Sequence, residues 1–270
     1  MAIYAVTGKP GSGKTYFLAR CIAKWIMQGK RIYPNFFIDL KSEVFRPYYK
    51  QICPEEMLEY SDKKKGERFM EEMARRLTGE FNEEDINNEE KQIFPWRNMT
   101  DWNKMTKGII VADEGTRYFN PRKWSSLSEE TEAKLMQHRH EDLDIWLSVQ
   151  HYTRLDVTLR ILVERFLDVE KTFAPKFLEK KPYAKLTITE HYLEDMERME
   201  RMNRADREAE AIDKETVWIV PKYANIYNTR QMVGRSEPMK LRHEIRWCED
   251  PMCPQHGQKH PDAKPKIIHS

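Results

Sequence analysis

The chain has 270 residues, of which 40% are hydrophobic and 33% charged, with a mean hydropathy of −0.81 and a formal net charge of +2. That length suits one large domain or a domain with an appendage, and no apolar run approaches the roughly 20 residues that span a bilayer. Near-neutral charge argues against wholesale polyanion binding, four cysteines are too few for a disulfide framework, and no basic n-region opens the chain, so a reducing, cytoplasmic setting is expected.

Residues 1–7 are apolar and β-prone, and they run directly into Gly8-Lys9-Pro10-Gly11-Ser12-Gly13-Lys14-Thr15. This is G-x-x-x-x-G-K-[ST] with a strand before it and a helix, Tyr16–Gln28, behind it. Glycines let successive backbone N–H groups turn inward as an anion nest, and the helix adds the positive end of its dipole. Gly8 through Tyr16 are therefore expected to cradle ATP. Lys14 would reach the β- and γ-phosphates, and the Thr15 hydroxyl would face Mg²⁺.

Lys30–Phe36 reads as a second strand, with Pro34 marking an edge or an early end. From Phe37 to Thr106 the pattern weakens into a helical insertion: an amphipathic stretch Glu67–Leu77 and an acidic Glu83–Glu90, joined by solvated loops. Gly108–Ala112 is a continuous apolar run ending in Asp113-Glu114, as in a parallel strand buried on both faces. Ser128–His140 predicts a helix, Leu143–Gln150 a strand, Asp156–Arg165 a short helix and Phe166–Phe173 a strand. Glu190–Ile212 reads as a charged surface helix and Val217–Val220 as a further strand. Alternating strands and helices imply an α/β fold, a mostly parallel central sheet flanked by helices. This domain is expected over residues 1–235, followed by a tail, 236–270, rich in His, Cys, Pro and Lys. Cys21 is expected as a small core residue.

Asp113 closes its strand where a carboxylate holds Mg²⁺ opposite the Thr15 hydroxyl, and Glu114 beside it can orient and deprotonate the attacking water. An acid pair on a neighbouring strand edge favours hydrolysis over phosphoryl transfer to a metabolite. Gln150 ends the following strand, where open α/β sheets line their ligand crevice, and can sense the γ-phosphate. Charge on the transferring phosphoryl group needs a further cation, often from a neighbouring subunit. Arg122, Arg139, Arg160 and Arg165 are candidates, and Arg139 is preferred because it closes a helix just before the Gln150 strand. In the tail, Cys248, Cys253, His256 and His260 are ligand types for tetrahedral Zn²⁺. Their spacing is too short between the Cys and His pairs for a conventional finger, which leaves two readings, a small zinc knuckle and a disordered tail that happens to contain Cys and His.

The phosphate loop near the N-terminus, Val111-Ala112-Asp113-Glu114-Gly115, and the segments 138–150 and 223–229 together resemble the ATPase domain of the zonula occludens toxin family. That family includes the morphogenesis ATPases of filamentous bacteriophages and belongs to the FtsK–HerA group of RecA-like (ASCE) motors. Arg139, Leu143, Asp144, Ile145 and Gln150 match the first family pattern, and Tyr227, Asn228 and Thr229 a later one. The resemblance covers roughly residues 1–235. It implies Lys14 and Thr15 at phosphate and Mg²⁺, Asp113 on Mg²⁺, Glu114 as catalytic base and Gln150 as γ-phosphate sensor. It also implies a ring homo-oligomer, six subunits being expected, that binds ATP at its interfaces and exports or packages phage DNA, single-stranded DNA being expected. Filamentous-phage members continue into a transmembrane helix, which this chain lacks. The expectation is therefore a motor in the bacterial host cytoplasm, docked on a membrane-embedded or capsid partner. Two other readings compete: a phosphate-loop kinase for a small molecule, against which Glu114 argues, and an adaptor that binds ATP to assemble.

Overall fold

Within Ile3–Thr7 (β1), Ile3 and Ala5 point to one side and Val6 to the other, and all three are fully buried. A strand buried on both faces has to lie inside a sheet covered above and below. In the computed structural model, which describes residues 1–54, 63–173, 184–199, 202, 204–232, 246–247 and 259–260, β1 is the fourth of seven strands. The chain divides into two units, 1–234 and 235–270, and the sheet belongs to the first.

The strand order is β2-β4-β5-β1-β6-β7-β8. Here β2 is Ile32–Pro34, β4 Gly108–Ala112, β5 Leu143–Ser148, β6 Arg165–Phe173, β7 Ala184–His191 and β8 Asp213–Trp218. The pairings from β2 across to β6 are parallel, and the last two, β6–β7 and β7–β8, are antiparallel. This is the expected mostly parallel α/β sheet flanked by helices, with one correction to the expectation from sequence. The acid pair is not on the strand next to the phosphate loop: β5 lies between β1 and β4.

Helix α1 (Lys14–Met27) buries Phe17, Leu18, Ile22, Ala23 and Ile26 at helical spacing. They join an apolar cluster on one face of the sheet with Tyr49 of α2 (Arg46–Ile52) and with Phe69, Met73 and Leu77 of α3 (Lys63–Leu77). A second cluster covers the other face and holds Trp96, Trp102, Phe119, Leu135 and Leu159. Cys21 in α1 is partly buried against the first of these clusters, and the desolvation of its thiol pushes the pKa up to about 12.

The stretch 37–106 departs most from its reading as helices joined by solvated loops. Residues 92–96 run along the outer edge of β2: Ile32 N donates to Gln92 O at 2.7 Å, Phe94 N to Ile32 O at 3.0 Å, and Trp96 N to Pro34 O at 3.0 Å. Phe94, Trp96 and Trp102 are completely buried. The expected second strand also breaks in two. β2 ends at Pro34, and β3 (Phe36–Ile38) pairs antiparallel with β9 (Tyr227–Met232) in a separate ribbon, leaving Asn35 at the corner.

Glu190–Ile212 is not one helix. Glu190 and His191 finish β7, helices occupy Leu193–Met199 and Arg204–Ala209, and residues 200, 201 and 203 lie outside the described residues. The alternation of buried Leu186 and Ile188 against α1 carries the strand through to His191. Among the described residues, no helix is long and apolar enough to cross a membrane.

Candidate functional site

The loop between β1 and α1 turns through Gly8, Gly11 and Gly13, at φ of 141°, 78° and 97°. A Cβ at Gly8 would meet Val169 O at 2.5 Å, and one at Gly13 would meet Leu186 Cδ2 at 2.7 Å. Gly8 therefore requires glycine twice over, for its backbone angle and for the close approach of the β6 backbone, whereas Gly13 requires it for its backbone angle. The first N–H groups of α1 have no intrahelical acceptor and face the loop mouth, with no acidic residue in the first turn to occupy them.

Lys14 is half-buried here. Its Nζ donates to Gly8 O at 2.7 Å and to Lys9 O at 3.1 Å. Burial holds its pKa below the ordinary lysine value, while Asp113 and Asp168 pull it upward. An ammonium partly stripped of water and resting on loop carbonyls is placed to exchange them for phosphate oxygens.

Asp113, just past β4, gathers three donors. Thr15 Oγ1 donates to Oδ2 at 2.8 Å, and Oδ1 accepts from Glu114 N at 3.1 Å and from Ser148 Oγ. Asn35 clamps the same residue by its backbone: Asp113 N donates to Asn35 Oδ1 and Asn35 Nδ2 to Asp113 O, both at 2.8 Å. Asn35 is only 3% exposed. Sequence reasoning missed it; the available signal was a lone amide between Pro34 and Phe36 where a parallel strand ends.

Glu114 adopts φ 55° and ψ 46°, a left-handed conformation that strains a residue with a Cβ. Its N–H is fixed by Ser148 Oγ at 3.0 Å as well as by Asp113, and its side chain is exposed. With Lys14, Thr15, Asn35, Asp113 and Gln150 it lines a cavity of about 460 Å³, within the usual ligand-pocket range of about 300–1,000 Å³. Thr15 and Asp113 present hard oxygen donors side by side. That set fits Mg²⁺, which takes one or two protein oxygens and completes its shell with water and phosphate.

Gln150 lies two residues beyond β5, and its Oε1 accepts from Arg154 Nη1 at 3.0 Å, a partner not singled out from sequence. Arg117, likewise unremarked in sequence, lines the cavity. Arg139 is not brought to this site: it stands before the start of β5, at the opposite end from Gln150, ion-paired with Glu164. Arg165 pairs with Glu190 at 2.8 Å, and Arg160 donates to Thr153 O and Leu155 O. Arg122 is exposed in the helical turn Pro121–Trp124.

Pro10 and Gly11 line this cavity and, with Gly8, Lys9 and Ser12, a second one of about 660 Å³ on the β6 side. Tyr16 lines neither: its ring is buried and its hydroxyl accepts from Val220 N at 2.8 Å, so its side chain anchors the stretch after β8. In the 138–150 segment, His138 and Asp144 build the fold. His138 is buried with Nδ1 2.9 Å from Leu135 O, and Asp144 Oδ1 accepts from Ala2 N at 2.9 Å. Of the tail residues, His260 pairs with Arg246 in a two-residue antiparallel ladder, whereas Cys248, Cys253 and His256 lie outside the described residues.

Residues 2–174 match the family model described as Zonular occludens toxin (Zot). Among solved structures, the chain is similar to the N-terminal domain of zonular occludens toxin from Neisseria meningitidis, at 18% identity and a TM-score of 0.45, covering 84% of this chain and 98% of that one. It is also similar to the genome packaging NTPase B204 from Sulfolobus turreted icosahedral virus 2 in complex with ATP-gammaS, at 12% identity and a TM-score of 0.44, covering 80% and 96%. No curated protein sequence gives a significant match.

Proposed function

The chain belongs to the zonular occludens toxin family, and from that premise we propose that it is a phage-associated motor that hydrolyses ATP to move phage DNA during export or packaging. The observation that carries hydrolysis is the meeting of Thr15 and Asp113 at 2.8 Å beside Lys14, although β5 separates β4 from β1, the strand that leads into α1. Two polar groups, one from the first turn of α1 and one from the end of β4, converge where the loop aims its N–H groups, which is the arrangement a bound triphosphate needs.

In this reading the loop N–H groups bind and orient the phosphates, and Lys14 exchanges the Gly8 and Lys9 carbonyls for β- and γ-oxygens. Thr15 and Asp113 would hold Mg²⁺, which when bound neutralises charge on the β- and γ-phosphates. Glu114, its backbone locked by Ser148, accepts the proton of the attacking water. Gln150, steadied by Arg154, hydrogen-bonds the γ-phosphate side. A cation from a neighbouring subunit of a ring completes the site, with Arg139 and Arg122 sufficiently exposed to supply it. Coupling to DNA rests on family membership, and hydrolysis rests on the geometry.

Phosphate release from ATP, measured on the purified chain with and without single-stranded phage DNA, tests the proposal. Turnover rises when DNA is added, and Lys14→Ala abolishes both turnover and ATP retention. Turnover indifferent to DNA of either strandedness overturns the motor.

A further inference from the structure

On β6 and β7 the face away from α1 carries a polar row next to Phe166. Asp168 and Glu170 stand two residues apart on β6, opposite Thr189 and Thr187 of β7, and His191 continues the row opposite Phe166. Their alternates Leu167, Val169, Leu186 and Ile188 fill the apolar cluster on the other side. The polar row is nevertheless buried: Thr187, Thr189 and His191 are 4%, 5% and 0% exposed.

Buried polar atoms nearly always find partners, and several here have none. Among the described residues, both ring nitrogens of His191, Arg207 Nε and Ser12 Oγ are buried without a hydrogen-bond partner. Arg207 reaches Asp168 at 3.9 Å and Glu170 at 3.4 Å, longer than the roughly 2.7–2.9 Å of a tight charge-assisted bond. Asp168 Oδ1 also accepts from Thr7 Oγ1 at 3.0 Å. Arg207 Nη2 donates to Glu170 Oε1 at 3.4 Å, while Arg207 Nε has no partner among the described residues.

Asp168, Glu170, Arg207 and Ser12 all line the 660 Å³ cavity on the β6 side of the phosphate loop. The two cavities share Pro10, Gly11 and Gln150, so the loop stands between them. A triphosphate whose terminal end faces Thr15, Asp113 and Glu114 has to carry its nucleoside out in the other direction. The geometry points to the β6 cavity as the nucleoside pocket, with Asp168, Glu170 and Arg207 recognising ribose and base. This rests on the nucleotide reading above. Ionised carboxylates only accept, which matches ribose hydroxyls and an exocyclic amine, while a guanidinium donates to ring nitrogens and stacks on a planar base. Met196, 6% exposed, contributes an apolar wall.

The test is calorimetric titration of the full chain with ATP and with inorganic tripolyphosphate, for the wild type and for Glu170→Gln, Arg207→Ala and Lys14→Ala. Wild type is expected to bind ATP at least about tenfold more tightly than tripolyphosphate. Glu170→Gln and Arg207→Ala each reduce that ratio about tenfold, with tripolyphosphate affinity unchanged. Unchanged tripolyphosphate binding also certifies that each variant is folded. A wild type that binds both ligands equally, or a ratio that survives both substitutions, overturns the pocket while leaving the phosphate site standing. Retention of both ligands by Lys14→Ala overturns the nucleotide reading itself.

Discussion

The two sides of the phosphate loop are built differently. Toward β4 and β5, the carboxylate of Asp113 has three donors, Asn35 uses both ends of its amide, and Glu114 N has two acceptors. Toward β6 and β7, His191, Ser12 and Arg207 keep buried atoms that have no hydrogen-bond partner among the described residues. The first side is finished before any ligand arrives, as electrostatic preorganisation demands where charge will develop. The second has capacity left over.

Substitutions on the two sides should therefore differ in sign as well as size. Asn35→Ala strips two part-buried bonds from the Asp113 backbone, so stability in urea should fall by about 2–4 kcal/mol. Retention of wild-type stability would show that the clamp is incidental. Ser148→Ala removes one donor to Asp113 and one acceptor of Glu114 N. Its unfolding midpoint should drop by the equivalent of about 1–2 kcal/mol, and ATP turnover should fall more than ATP affinity. On the opposite side, His191→Leu removes two unpartnered nitrogens from a fully buried position. It should be neutral or stabilising by up to about 1 kcal/mol, and a large loss would mean that the imidazole is bonded after all.

The smallest effect is on pH dependence. Burial, first, and Arg207 hold the His191 pKa below its ordinary value, against the pull of Asp168, Asp195 and Glu210. Burial does the same at His138. The unfolded chain then takes up protons near pH 6.5 that the folded chain refuses, so stability is full above that value and declines as pH falls toward the lowered folded values. Urea midpoints measured between pH 7.5 and 5.5 should fall, and His191→Leu should flatten the slope.

How much of this was legible in the sequence follows from how local each signal is. The phosphate loop and Asp113-Glu114 are contiguous motifs, and the hydrophobic patterns around them place them at strand ends. Asn35 and Ser148 act on Asp113 across 78 and 35 positions, and nothing in a linear pattern announces such pairings. Strand alternation gives an α/β class without an order, so the interposition of β5 was not readable. Ile93, Phe94, Trp96, Trp102 and Met105 follow neither a two- nor a 3.6-residue period, which is why a buried segment resembled an insertion. Arg139 lies close to Gln150 in sequence, yet β5 runs between them, and a six-residue strand spans roughly 20 Å.

The central claim is that Glu114, held in its strained conformation beside Asp113, turns over a triphosphate bound at Lys14. Phosphate release and ATP affinity measured together on wild type and Glu114→Gln address it directly. Glu114→Gln should hold ATP as tightly as wild type while its turnover falls by roughly 10²–10⁴-fold. Equal turnover in the two proteins contradicts it.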